Sequence, residues 1–258
     1  MAANDPGRPS SLSDSAPSMS RDLATPAVAL AVGAHPDDIE FGAGGTLAKW
    51  AAAGCVVHHL VCTDGSKGTW DPSADTAALV TRRQDEQREA ARRLAGQRTG
   101  EAIFLGRVDG ELENDEPTRL EVARAIRQLR PDVVLAHDPW KRYRLHPDHR
   151  AAGFLVCDAI VGARDPHFYG GLALAPFRPR ALLLFEADEP NHAEDVTATL
   201  ERKLDALLAH ESQFESTMKA HNDAELADFR ARVTDRLADL GRPLGVQHAE
   251  VFHLLTDL

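Results

Sequence analysis

Three features of the sequence predict a single α/β domain, with a mostly parallel sheet that carries helices on both faces. From Ala27 onward, short β-branched or aliphatic runs alternate with longer Ala-, Leu- and Arg-rich stretches, the rhythm of strand followed by helix. Repeated strand–helix–strand order calls for parallel pairing through right-handed crossovers, which place helices on both faces. No low-complexity linker or internal repeat marks a second domain, and 258 residues with 43% hydrophobic content suffice for one large core.

Taken in order, strands are expected near 27–33, 56–62, 101–105, 132–136, 181–187 and 248–255. Helical periodicity occupies 44–53, 76–96, 117–129 and 148–162, and Pro117 and Pro147 suit first-turn positions, where the missing N–H costs nothing. Two further helices are expected near 195–210 and 222–239, and the last strand at a sheet edge. The arrangement is Rossmann-like over residues 27–258. Residues 1–26 are rich in Ser, Pro, Asp and Ala and have no apolar stretch after a basic start, so a disordered tail is expected rather than a signal peptide.

Composition excludes several classes. The 29 basic against 40 acidic residues give a net charge of −11, a poor match for nucleic acid, whose binding rests on Lys and Arg displacing counterions. Apolar runs such as Ala27 to Val32 fall far short of the roughly 20 residues that span a bilayer. A cytoplasmic protein without a membrane-spanning segment is expected, and assembly of identical chains is compatible with the sequence. Cys55, Cys62 and Cys157 are odd in number and lack CxxC spacing, as reduced, packed thiols do.

In open parallel sheets ligands lie outside the carboxyl ends of the strands, and two loops there carry metal-ligand chemistry. The first strand runs into Gly33-Ala34-His35-Pro36-Asp37-Asp38, and the strand ending at Ala136 leads through a loop to His146-Pro147-Asp148-His149-Arg150. Either cluster alone is compatible with ordinary helix capping. Together they let His35, Asp38 and His149 converge on one divalent ion as two nitrogen ligands and one oxygen ligand, a catalytic zinc set that leaves room for water. The same composition serves non-haem iron, so zinc and iron(II) both stay open. A helix starting at Pro147 would turn its positive end on His146 and His149 and favour neutral imidazoles.

The stretch Ala34-His35-Pro36-Asp37-Asp38 with Glu40 and a Gly-rich turn, followed by His146-Pro147-Asp148-His149, resembles the PIG-L / LmbE-like zinc-dependent N-deacetylases. These remove acetyl groups from N-acetylglucosaminyl compounds. The resemblance extends to Thr63-Asp64-Gly65, Arg83 to Glu86, Leu105-Gly106, Asp109-Gly110, Asn191-His192 and His210 to Gln213, most of residues 27–255. It implies zinc ligation by His35, Asp38 and His149, Asp37 as general base, and His146 as the residue that polarises the oxyanion. It also implies Arg83 and Asp109 as substrate contacts and an amino sugar as substrate. Zinc lowers the pKa of bound water from about 15.7 to about 7, which supplies a nucleophile at neutral pH.

The polar loop Asp64 to Asp75 is long enough to rim such a site, and its Lys67 and Trp70 are candidate sugar contacts. One branch of the family, acting on inositol-linked glucosamine, often places Tyr two residues before the first His of the second motif, where this chain has Arg144 and Tyr143 one residue earlier. The basic, aromatic stretch Trp140 to Arg144 suits an anionic or glycosidic part of a substrate. Other features offer decoys. Gly42-Ala43-Gly44-Gly45 fails the GxGxxG spacing because Leu47 stands where glycine is required, so these glycines are expected in close helix packing beneath the site. His58 and His59 alternate to opposite faces of a strand and make poor partners for one ion. His192 follows a strand end, and neither it nor His210 receives a role. Two alternatives remain at this level: an amidase for thiol conjugates or antibiotic glycosides using the same metal site, and a nucleotide-binding Rossmann module whose acids merely cap helices.

Overall fold

The computed structural model describes residues 19–258. In chain order its elements are β1 (Ser20–Arg21), β2 (Val28–Gly33), α1 (Asp38–Ala52), β3 (Val56–Thr63), α2 (Thr76–Ala95), β4 (Thr99–Arg107), α3 (Glu116–Leu129) and β5 (Val133–His137). There follow α4 (Pro147–Arg164), β6 (Ala181–Phe185), β7 (His192–Asp195), α5 (Leu200–Leu207), α6 (Asp223–Gly241) and β8 (Ala249–Leu255). Among the described residues the strands form one eight-stranded sheet in the order β1-β7-β8-β6-β5-β2-β3-β4. All pairs are parallel except those of β8. No described helix is long and apolar enough to cross a membrane.

The alternation within β2 sets the two cores. Leu30 and Val32 point to one face and pack with Val122, Ile126, Leu155 and Val156 of α3 and α4. Ala29 and Ala31 point to the other, with Leu47 and Trp50 of α1. Burial on both faces is why β2 and β5 read as continuous apolar runs rather than as polar–apolar alternation. Chain order also fixes where a ligand can sit. From β2 the chain proceeds through β3 to β4 on one flank, then returns to lay β5 on the other. The carboxyl ends of β2 and β5 therefore border the crevice where connections diverge.

The structure departs from the sequence reading in four places. Residues 1–18 of the expected tail lie outside the described residues, but Ser20–Arg21 forms β1 beside β7. Asp22 N–H donates to Ala193 O at 2.9 Å, Leu23 N–H to Glu194 Oε1 at 2.9 Å, and Lys49 reaches Asp22, bonds to a distant segment that no local pattern reveals. Helix α1 begins at Asp38, not near residue 44, because its glycines are helical: a Cβ on Gly42 would lie 2.5 Å from Phe185 Cδ2, and one on Gly45 2.8 Å from Val196 Cβ. The helix expected over 195–210 is a strand to Asp195 and then α5 from Leu200; β7 escapes notice because its buried His192 and Glu194 are polar and satisfy each other at 2.9 Å. Finally β8 is not at an edge but lies antiparallel between β6 and β7.

The Gly42 contact yields a prediction in which two effects oppose. Alanine gains about 1 kcal/mol of helix propensity over glycine, whereas overpacking costs roughly 1–3 kcal/mol. Packing should win, so Gly42→Ala loses up to about 2 kcal/mol in urea unfolding; a gain in stability would show that Phe185 yields freely.

Candidate metal centre and active site

Each end of the crevice supplies an imidazole. His35 follows β2 directly, and His137 is the last residue of β5. His146 caps α4 and His149 lies in its first turn, with Pro147 at the start as expected. Asp38, first residue of α1, joins them. Its Oδ2 accepts the backbone N–H of His35 at 2.7 Å and lies 3.3 Å from His35 Nδ1 and 3.1 Å from His137 Nε2, while Oδ1 is 3.3 Å from His149 Nε2. The expected trio of His35, Asp38 and His149 is thus brought together around one carboxylate.

The ligand atoms fall into overlapping groups rather than one. Atoms of His35, His146 and His149 lie within 4.8 Å of one another, as do those of Asp38, His137 and His149, and those of His35, Asp109, His146 and Asp148. The rings crowd accordingly: His137 stacks on His149 at 4.2 Å, and His146 meets His35 edge-on at 4.6 Å.

Electrostatics favour a cation here. Burial opposes charge on His35, yet Asp109 at 3.2 Å, Asp148 at 3.0 Å and Asp38 outweigh it and push its pKa up to about 12. Burial also penalises the Asp38 carboxylate, but His149 and His137 hold it well below its usual range. Buried carboxylates survive ionised only beside positive charge. Three of them converge on one imidazole, a donor set suited to a divalent ion in place of a proton. His146 is shifted down, by burial first and then by His35 and His149, which leaves it neutral near pH 7.

Asp37 makes none of these contacts, but it lies near enough for Asp38 and His35 to act on its carboxyl. It adopts φ 104°, the left-handed region that costs a residue with a Cβ. Two buried partners hold it. Its N–H donates to Gln87 Oε1 at 3.0 Å, and Gln87 in turn donates to Glu40, whose second oxygen pairs with His210 at 3.2 Å. Arg83 donates to Pro36 O at 2.6 Å and Gly65 O at 2.9 Å and lies 3.5 Å from Asp37 Oδ2. Burial raises the Asp37 pKa to about 6 against the pull of Arg83.

The expected substrate contacts divide. Asp109 faces the cluster at His35 and is ordered by Asp64, whose Oδ1 accepts the N–H groups of Asp109 and Ser66. Arg83 is only 3% exposed, covered by the loop at Gly65 and Gly68, and its guanidinium braces Asp37. Lys67 sits at the rim, its ammonium on Glu111 at 3.1 Å. Trp70 is 78% exposed and enters none of the cluster's bonds or ring contacts, because its loop points it to solvent.

Sequence reasoning missed His137, Asp148, Arg144 and Gln87. His137 carried the same signal as His35, a histidine at a strand's carboxyl end. Asp148 lies between the two recognised histidines and is fully buried, where it accepts from Gly110 N–H at 2.6 Å and Leu112 N–H at 3.1 Å while holding His35. Arg144 contacts His149 Nδ1 at 2.9 Å and pairs with Glu186 at 2.7 Å, the latter a contact across the fold that no spacing discloses. Among the decoys, His58 accepts a bond from Glu101 N–H, His59 is buried on the opposite face, and His192 bonds Ser20 and Glu194 away from the cluster.

With this geometry in place the likeness to known proteins becomes specific. The profile of the PIG-L family, GlcNAc-PI de-N-acetylase, matches residues 30–160, which hold both His/Asp loops. The chain belongs to the PIG-L family. It is 38% identical over 188 residues to a diacetylchitobiose deacetylase of Thermococcus kodakarensis, covering 72% of this chain and 69% of that one. A 1D-myo-inositol 2-acetamido-2-deoxy-alpha-D-glucopyranoside deacetylase of Segniliparus rotundus is 30% identical, covering 72% and 76%. The solved N,N'-diacetylchitobiose deacetylase of Pyrococcus horikoshii superposes with a TM-score of 0.80 at 30% identity, covering 90% of this chain and 84% of that one. Its fold is thus that of the PIG-L deacetylase structures.

A metal ligand must be a neutral imidazole, so if His35 served as one, an ion bound there would displace its proton. Zinc affinity of the metal-stripped chain should rise about tenfold per pH unit between about pH 6 and 8, with about one proton released per ion. Calorimetry in buffers of unlike ionisation heat measures both; an affinity independent of pH would contradict the assignment.

Proposed function

We propose that the protein is a zinc-dependent hydrolase that removes the N-acetyl group from an N-acetylglucosaminyl-type substrate, releasing acetate and a free amine. The observation that carries the reading is the contact of one carboxylate, Asp38, with His35, His137 and His149 at the diverging strand ends, with Asp37 beside it. His35, Asp38 and His149 would hold the ion, and iron(II) is the alternative such a donor set admits. When bound, the ion supplies a Lewis acid that polarises the scissile carbonyl and makes a hydroxide nucleophile available at neutral pH.

The chain's own residues do the rest. Asp37, held by Gln87 and Arg83, accepts the proton of the attacking water and returns it to the departing amine. Neutral His146, at the start of α4 and edge-on to His35, donates to the oxyanion as it forms. Asp148 and Asp109 fix the His35 ring, the outer support that orients a ligand imidazole. Asp109 is the proposed acceptor of a hydrogen bond from a sugar hydroxyl. The nucleotide-binding alternative loses its loop, since the glycines lie within α1 against Phe185 and Val196. The amidase alternative shares this chemistry and differs only in the leaving side.

The test is amine release from a panel of N-acetylglucosaminides, including chitobiose and inositol glycosides, by metal-stripped protein with zinc returned. Zinc-dependent release is expected; bound zinc with no release from any member would contradict the substrate class. Asp37→Ala should keep zinc and lose about 10²–10⁴-fold in kcat, and His146→Ala should lose about 10²–10³-fold. Since Asp37 must be ionised to act, kcat/KM should fall as pH drops below about 6. An acid limb unchanged in Asp37→Ala would remove Asp37 as the base.

A further inference from the structure

We propose that a cavity between α6 and the start of α1 binds a small amphipathic anion, an alkyl or aryl chain ending in a carboxylate or phosphate. The cavity measures about 350 Å³, within the range of small-ligand sites. Part of its wall is an apolar floor: Phe41 on α1, Met218, and Phe229, Val233 and Leu237 on α6. Met218, Phe229 and Leu237 are all but inaccessible, so the floor is a built surface and not a patch of loose side chains.

Charge selects the occupant. The chain carries −11 overall, yet three cations, Lys219, Arg232 and Arg236, gather at this cavity. The lining carboxylates are already neutralised, Glu250 by Lys203 at 2.6 Å and Glu186 by Arg144 at 2.7 Å. Among the described residues no carboxylate lies within ion-pair distance of Lys219, Arg232 or Arg236. Arg232 is held at the rim by its bond to Met218 O at 2.9 Å. An apolar chain with an anionic end satisfies both floor and rim.

The cavity abuts the metal cluster. Glu186 forms part of its wall, and its partner Arg144 contacts His149. The anion thus comes from one of two sources: a free amphiphile, or the distal arm of the substrate itself. The site stands or falls without the deacetylase reading, because binding is measured directly.

Octanoate, titrated below its micelle-forming concentration into the full chain by calorimetry, should bind saturably, with 1-octanol at least tenfold weaker and acetate undetectable. Lys219→Gln/Arg236→Gln, both exposed positions, should weaken octanoate at least tenfold, and Val233→Trp should abolish binding by filling the floor. No saturable octanoate binding, or equal affinity for octanol, or an unchanged affinity in the double variant, overturns the proposal. The source follows from amine release: competition by octanoate confined to glucosaminides with a carboxyalkyl aglycone marks the substrate's arm, and an altered kcat on the unsubstituted sugar marks a free effector.

Discussion

The site depends on one carboxylate. Asp38 touches imidazoles from the ends of two strands and from the first turn of a later helix, and its first oxygen-bonded donor is the backbone of His35 itself. Placing a buried charge among three imidazoles is costly unless positive charge compensates it. Around Asp38 that compensation comes first from His149 and then from His137. The backbone geometry serves the same end: α1 starts at Asp38, and Asp37 before it adopts the left-handed region and is buried where Asp38 and His35 act on its carboxyl.

Such a strained start needs bracing, and the bracing is polar and buried. On one side the chain Asp37–Gln87–Glu40–His210 ties the helix start to α2 and to the segment after α5. Deeper along α1, Glu250 of β8 accepts from the N–H groups of Gly45 and Thr46, from the Thr46 hydroxyl and from Lys203. The helix is therefore pinned at both ends of its glycine stretch. Rigidity at Asp37 is what the proposed role of general base requires, since misplacement by about 1 Å costs on the order of 10²-fold.

Local chemistry made the centre of this account legible in the sequence. Strands buried on both faces, a proline opening α4 and two His/Asp clusters after strand ends each have a local signature, and all lie where that signature puts them. What stayed hidden depended on distant partners. The strand β7 is polar because its histidine and glutamate satisfy each other, β1 exists only through bonds to β7, and the last strand was drawn inward between two others. Arg83 illustrates the same limit within the site. The family resemblance implied a substrate contact, but only the fold shows that the loop at Gly65 and Gly68 covers it and that it lies against Asp37. His137 was missed for a different reason: its signal was present, but a histidine that ends a strand reads equally as a packed ring.

The most direct measurement of the central claim is anomalous diffraction at the zinc edge from crystals of the zinc-loaded protein. The account predicts a single ion in contact with His35, Asp38 and His149, with Asp37 close by but not ligating. An ion seated instead among Asp109, Asp148 and His146, with Asp38 left in its bonds to the imidazoles, would contradict it.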